Sequence, residues 1–278
     1  MKELTDLTLT QLIQPRSADS HKGTFGRALL IGGNQQYGGA IMMSTLATVA
    51  AGAGLTTVVT TSENHIPLHV HCPEAMVLDC KDIQAITAAI KKSDVLLIGP
   101  GLGTDQTAIT LLKLVFTHQR PDQWLVVDGS AITLVARLKL ELPHPAVTIF
   151  TPHQMEWERL AQLPIAEQTS DKNQQVQQKL GAYVVLKSHR TEVYTLDECY
   201  KNPLGTPAMA TGGMGDTLAG MIVGFLAQFP DKIAALLSAV YLHSYIGEQL
   251  ALYQYVVLPT AIIRHIPVYM KQFELKNP

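Results

Sequence analysis

The feature that limits this chain most is an alternation. Short runs rich in Leu, Ile and Val recur between helix-like stretches, and many of them end in glycine or a polar residue. Arg27-Ala28-Leu29-Leu30-Ile31 runs into Gly32-Gly33. Gly38-Gly39-Ala40 then opens a helix of small residues reaching about Ala53, and Leu55 to Thr60 is the next strand. Strand, loop, helix, strand is the βαβ unit of a parallel sheet. The same reading places strands over 75–78, 94–98, 124–128, 146–150 and 183–187. Helices fall over 82–92, 105–118 and 130–139, and Thr151-Pro152-His153 opens another. Residues 192–195 are expected to pair with 183–187 as a hairpin. Residues 1–14 read as a short amphipathic helix ending before Pro15, and 164–180 as a polar surface helix. Helices over 215–228, 232–253 and 259–274 close the chain. The expectation is α/β: a three-layer αβα sandwich with a mostly parallel central sheet and helices on both faces. It is read as one domain over 1–278.

Composition narrows the partners. Apolar residues make up 47% of the 278 and charged ones 16%, enough for an extensive core. The formal charge is −2 and no long basic block occurs, which argues against nucleic acid. The three cysteines, Cys72, Cys80 and Cys199, lack metal-type spacing, and a reducing cytoplasm is the simplest setting. Residues 1–6 lack the apolar core of a signal peptide. Apolar runs are interrupted before the roughly 18 residues of a membrane span, so no membrane association is expected.

One stretch stands apart from the alternation. Thr211-Gly212-Gly213-Met214-Gly215-Asp216 precedes the apolar run Thr217 to Leu226. Glycine permits a tight turn and brings bare N–H groups close to a ligand. A buried helix starting here adds free donors and a partial positive charge. Gly212, Gly213, Met214 and Gly215 together form a candidate anion seat, most plausibly for phosphate. Asp216 stands at its rim, where the dipole is expected to favour the ionised form. A carboxylate there suits accepting or orienting a proton from a hydroxyl that attacks phosphorus. The plainer alternative is a glycine-rich turn capped by Asp.

In such a sheet, ligands bind beyond the carboxyl ends of the strands. Five polar or glycine-rich clusters fall there: Gly32-Gly33, Gly99 to Thr104, Asp128-Gly129, Thr151-Pro152-His153 and Lys187 to Thr191. No Gly-x-x-x-x-Gly-Lys-Ser/Thr occurs, and Gly99-x-Gly101-x-Gly103 is misspaced for a dinucleotide fingerprint. His69 and His71, placed on one strand face, tempt a metal reading with Cys72, but no distant second pair supports it. Lys187 to Thr191 offers cations and hydroxyls to a nucleotide, or is a solvated hairpin turn. His153 and Glu156 share one helix face. His153 is a candidate substrate contact and Glu156 a candidate Mg²⁺ holder through water; a glutamate complementing the helix dipole is the alternative. Asp128 is read as a metal or substrate ligand or, more simply, as the cap of the next helix.

Taken in order, Ser20-His21-Lys22-Gly23-Thr24-Phe25-Gly26, Gly99-Pro100-Gly101-Leu102-Gly103, Thr151-Pro152-His153-x-x-Glu156 and Ala210 to Asp216 closely resemble the motifs of the ADP/ATP-dependent NAD(P)H-hydrate dehydratases. These are members of the ribokinase-like superfamily. The resemblance spans about residues 15 to 270. It implies a repair reaction: the hydroxyl of the S-epimer of hydrated NADH or NADPH is phosphorylated, and phosphate is then eliminated. It also implies Mg²⁺ and ADP (or ATP) as co-substrate, with ADP usual for stand-alone bacterial forms. By the same resemblance, Ala40, Gly103, His153 and Asp216 would contact the hydrated cofactor. Lys187, Ser188, His189, Arg190, Thr191 and Gly215 would hold the adenine nucleotide, and Asp216 would activate the hydroxyl. A homo-oligomer, a tetramer as in the family, is implied as well.

Two departures from the family pattern stand out. Asp-Ala-Asp-Ala-Leu becomes Asp128-Gly129-Ser130-Ala131-Ile132, so a second carboxylate is lost. Lys-Gly becomes Lys187-Ser188-His189-Arg190. The roughly 25 residues before the first core strand are too few for the epimerase domain that many relatives carry. Two rival readings remain at this point: a ribokinase-like kinase of a small vitamin-precursor alcohol, and a non-catalytic nucleotide-binding regulator.

Overall fold

The structure is a computed structural model that describes residues 1–274. The last four positions of the expected domain lie outside the described residues. Ten strands form one sheet: β1 (Lys2–Glu3), β2 (Arg27–Ile31), β3 (Leu55–Thr60), β4 (Met76–Asp79), β5 (Val95–Ile98), β6 (Trp124–Val127), β7 (Thr148–Phe150), β8 (Tyr183–Leu186), β9 (Glu192–Tyr194) and β10 (Cys199–Lys201). Among the described residues, eleven α-helices connect or cover them: α1 (Leu7–Leu12), α2 (Gly38–Ala50), α3 (His65–His71), α4 (Ile83–Lys92), α5 (Gln106–His118), α6 (Gly129–Leu138), α7 (Gln154–Ala161), α8 (Ser170–Leu180), α9 (Met214–Gln228), α10 (Lys232–Ala251) and α11 (Pro259–Glu274).

The strand order is β1-β10-β9-β8-β7-β6-β5-β2-β3-β4. From β4 to β8 every pairing is parallel, and β9 and β10 return antiparallel. Because β2 to β4 grow one way and β5 to β8 the other, the order reverses between β2 and β5. That is the position where open α/β sheets leave a crevice. The register keeps the strand ends level. Gly99 N donates to Ile31 O, Asp128 N to Ile98 O and Thr151 N to Val127 O, and Lys187 N continues to Pro152 O at 2.8 Å.

Two large cores flank the sheet, as the period of two in each strand requires, and a smaller cluster of Trp157, Val184, Leu186 and Tyr194 lies at β8 and β9. Ala28, Leu30, Val95, Leu97 and Val126 face α2, α9, α10 and α11. Leu29, Ile31, Leu96, Ile98, Leu125 and Val127 face α4, α5 and α6. The expected αβα layering is therefore the observed one. Helix α9 is buried almost all round because its neighbours are helices as well as sheet. Gly220 sets its distance from α2: a side chain there would run into the Ser44 backbone. Thr48 Oγ1 donates to Gly220 O, and Ser44 Oγ to Asp216 O, both at 2.9 Å. The start of α9 is thus locked to α2.

Three expectations fail in detail. The helix over 1–14 is shortened to α1, because Lys2 and Glu3 pair with Tyr200 and Lys201 at the sheet edge. The helix over 164–180 is broken: a 3-10 turn (Ile165–Glu167) precedes α8, and Thr169 caps α8 by accepting from Lys172 N. His69 and His71 lie on α3, not on a strand. Two residues apart on a helix they point roughly 200° from each other, which removes the shared face that the metal reading needed. Among the described residues, no group of three or more His, Cys, Asp or Glu side chains is placed to hold a metal ion.

Candidate active site

The candidate anion seat is the start of a helix. Gly213 is the N-cap residue with φ of +95°, a left-handed conformation that glycine adopts without strain. Met43 and Pro259 crowd the space a side chain would fill there. Met214, Gly215 and Asp216 are the first three residues of α9, so their N–H groups have no acceptor within the helix. Gly212 is exposed and open on the side where a Cβ would sit.

Asp216 holds a proton more tightly than a dipole argument alone would have it. Burial pushes its carboxyl up to about 6, and the charges of Asp128 and Glu156 push the same way, against Lys187. Desolvation and like charges outweigh the helix dipole here because the dipole is only about half a charge.

Lys187 and Asp128 come together at the heart of the crevice. Asp128 occupies the N-cap position of α6 but makes no side-chain capping bond. Its Oδ1 instead accepts from Lys187 Nζ at 2.8 Å and from Thr151 Oγ1 at 2.6 Å. Capping, the simpler reading of Asp128, is therefore wrong for its side chain. Burial would lower the Lys187 ammonium, but Asp128, Glu156 and Asp216 reverse this and hold it above its ordinary value. The ammonium also overhangs the anion seat: a Cβ built on Gly215 would lie 3.0 Å from Lys187 Nζ. Lys187 is thus no solvated turn residue.

His153 and Glu156 form a capping box at the start of α7. His153 Nδ1 accepts from the N–H groups of Met155 and Glu156, and Glu156 Oε2 accepts from His153 N at 2.9 Å. Both the helix-start role and proximity to the acidic cluster hold for Glu156, which is 7% exposed. Ala40 stands on the other side of α9's start. Ser44 Oγ bonds both Ala40 O and Asp216 O, and a Cβ on Gly101 would lie 3.1 Å from Ala40 Cβ. Gly103, at φ of +82°, borders Asn34. The five strand-end clusters therefore line one rim, with Asp216 facing it from α9.

A cavity of about 460 Å³ opens beside the seat. Lys187, Ser188, His189, Thr191 and Gly215 line it on one side, and Leu204, Met209 and Val240 give it an apolar wall. Arg190 is not among its lining residues. Its guanidinium donates to Pro203 O and approaches Glu248 on α10, tying the loop down. His243 on α10 also lines the cavity. Its Nε2 has no hydrogen-bond partner among the described residues, and burial, with the charge of Lys187, pushes its pKa down to about 4. The Asp128–Lys187 pair and the wall residues were missed in the sequence. Fifty-nine positions separate the pair, and no local pattern links them.

The sequence profile of the family described as NAD(P)H-hydrate dehydratase matches residues 28–268. An ADP-dependent (S)-NAD(P)H-hydrate dehydratase of Enterococcus faecalis is 53% identical over 98% of this chain and 94% of its own length. A crystal structure of a ribokinase-like superfamily protein from the same organism superposes with a TM-score of 0.97 at 53% identity, covering 98% of this chain and 96% of that one. The ADP/ATP-dependent NAD(P)H-hydrate dehydratase of Bacillus subtilis, co-crystallized with ATP/Mg²⁺, gives a TM-score of 0.88 at 28% identity, covering 98% and 99%. With a mostly parallel sheet, a glycine-rich helix start and this degree of likeness, the chain belongs to the NAD(P)H-hydrate dehydratase family.

Proposed function

We propose that this protein dehydrates the S-epimer of hydrated NADH or NADPH and restores the reduced cofactor, using ADP as phosphoryl donor. The observation that carries the reading is Asp216, a carboxylate of raised proton affinity set at the third position of the helix that forms the anion seat. The hydroxyl oxygen on the hydrated ring attacks the terminal phosphorus of ADP, Asp216 takes the hydroxyl proton, and AMP leaves. The ring nitrogen then pushes electrons toward the phosphorylated carbon, the C–O bond breaks, phosphate departs and the neighbouring carbon gives up a proton. The N–H groups of Met214 and Gly215 and the Lys187 ammonium offset charge on the transferring group. Phosphate leaves far more readily than hydroxide, which is why a kinase-like site serves a dehydration.

Ala40, Gly103 and His153 contact the hydrated ring and its ribose, and Ser188, His189, Thr191 and Gly215 hold the nucleotide, with Arg190 tying their loop down. Mg²⁺ fits this site as a passenger on the nucleotide phosphates rather than in a protein cage, since Asp128 is taken by Lys187 and one of the two Glu156 oxygens, Oε2, by the capping box. Glu156 would hold it through water, and the ion would neutralise phosphate charge. We place the protein in the cytoplasm as a homo-oligomer, a tetramer. Exposed Tyr253, Tyr255 and Leu252 supply apolar surface for assembly. No described helix is long and apolar enough to cross a membrane.

Incubation of the purified protein with hydrated NADH, ADP and Mg²⁺ is expected to restore the reduced-nicotinamide absorbance. Absence of recovery with both ADP and ATP would sink the reading. A phosphorylated product that accumulates without elimination would mark a small-molecule kinase, which the family match does not favour.

A further inference from the structure

Asp128 is a buried carboxylate, 2% exposed, that neither caps its helix nor faces solvent. Thr151 Oγ1 fixes it at 2.6 Å from the next strand, and it in turn holds Lys187 at 2.8 Å. The held ammonium lies against Gly215, in the first turn of the helix that forms the anion seat. A lysine on a four-carbon stem has many rotamers, and few of them put the charge over those amides. We propose that Asp128 is a positioning residue that acts through Lys187: it stations the ammonium over the N–H groups of α9 before the nucleotide arrives, so that the phosphoryl group meets a preassembled cation-and-amide cradle. The inference rests on the nucleotide-binding reading above.

The placement has a second consequence. The charged groups that influence Asp216 are Asp128 before α6, Glu156 on α7 and Lys187 after β8, and Lys187 in turn influences His243 on α10. Helix α2 carries no titratable side chain. Asp128 is the strongest of the neighbouring charges on Asp216. It therefore ties two properties together: where the cation stands, and how firmly Asp216 holds a proton.

The test uses the full chain. Asp128→Asn keeps an oxygen acceptor for Thr151 and Lys187 and removes only the charge. The acidic limb of the kcat/KM profile is expected to move to lower pH, which a merely structural role would not produce. Asp128→Ala removes the post itself. Calorimetric binding of ADP is expected to weaken roughly tenfold, and that loss is expected to vanish in a Lys187→Met background. Unchanged or tighter ADP binding in Asp128→Ala, an equal loss in both backgrounds, or an unmoved acidic limb in Asp128→Asn would each overturn the proposal. If Asp128→Ala does not melt cooperatively, Thr151→Val leaves both charges in place. It is expected to weaken ADP binding less, and again only where Lys187 is present; no effect there overturns the proposal. Wild-type turnover and ADP binding serve as controls. Their failure would indict the functional reading, whereas normal controls with insensitive variants would indict Asp128 alone.

Discussion

The two ends of the sheet use polar side chains in opposite ways. At the amino ends of the strands they serve the backbone. Gln123, fully buried, donates to Ile90 O at 2.7 Å and Ser93 O at 2.5 Å, at the end of α4. Arg120 Nη1 reaches Lys91 O and Ser93 O. Arg16 stacks on Phe25 at 3.7 Å and donates to Gly52 O, just past α2, and to Gln228 at the end of α9. Each completes carbonyls that a helix end leaves open. At the carboxyl ends the side chains face one another. Asp128, Asp216, Glu156 and Lys187 share a poorly solvated space with three negative charges to one positive. The first arrangement removes unsatisfied groups. The second keeps charge where it costs stability, which is the condition under which a carboxylate can hold and release a proton near neutral pH. A large cavity is no guide to which end is which, since one of about 510 Å³ lies at the amino end among Arg16, Phe25 and Lys271.

Substitutions at the two ends should therefore separate rate from stability. The largest effect is expected for Asp216→Asn, a loss of at least about 100-fold in kcat, the scale for removing a general base. Wild-type kcat/KM should fall below about pH 6, as Asp216 takes up its proton. A near-normal rate in the variant would remove Asp216 from the mechanism. Next is Gln123→Ala, which strands two carbonyls and should cost about 2 kcal/mol in urea unfolding. Its kcat should stay within error of wild type; a matching loss of rate would erase the contrast between the ends.

A smaller effect of opposite sign is expected for Asp216→Asn in unfolding. The folded carboxyl titrates at about 6, above its ordinary 3.8, so the folded state binds more protons between those values. Stability from this group is then full below about pH 4 and lost as pH rises through 6. At pH 7 the variant should be more stable than wild type by about 1–2 kcal/mol, and by nothing at pH 3.5. Equal stability at both pH values would show that the site charge is cheaply solvated. The smallest effect is expected for Arg16→Ala, about 1 kcal/mol of stability with unchanged turnover, read by thermal melting and steady-state kinetics.

Much of this was legible in the chain itself. The period-two strands, the glycine at each turn and the apolar run after Asp216 follow from local rules, so layers, strand directions and the start of α9 could be placed from residues alone. Short edge elements could not. β1 and β10 are two and three residues long and exist because a neighbouring strand pairs with each, β10 with β1 and β9 with β10. His69 and His71 looked like alternating strand residues because two positions suit either period; packing of α3 on α2 decided for the helix. Asp128 was readable as a cap because its position is a cap position. Its side chain turned instead to Lys187, since an ion pair in a poorly solvated crevice outweighs a hydrogen bond to an amide that water could serve. The sequence alone determined which residues carry charge and where the backbone bends. The tertiary structure decided which charges meet, because long-range electrostatics depends on distances that only the closed sheet creates.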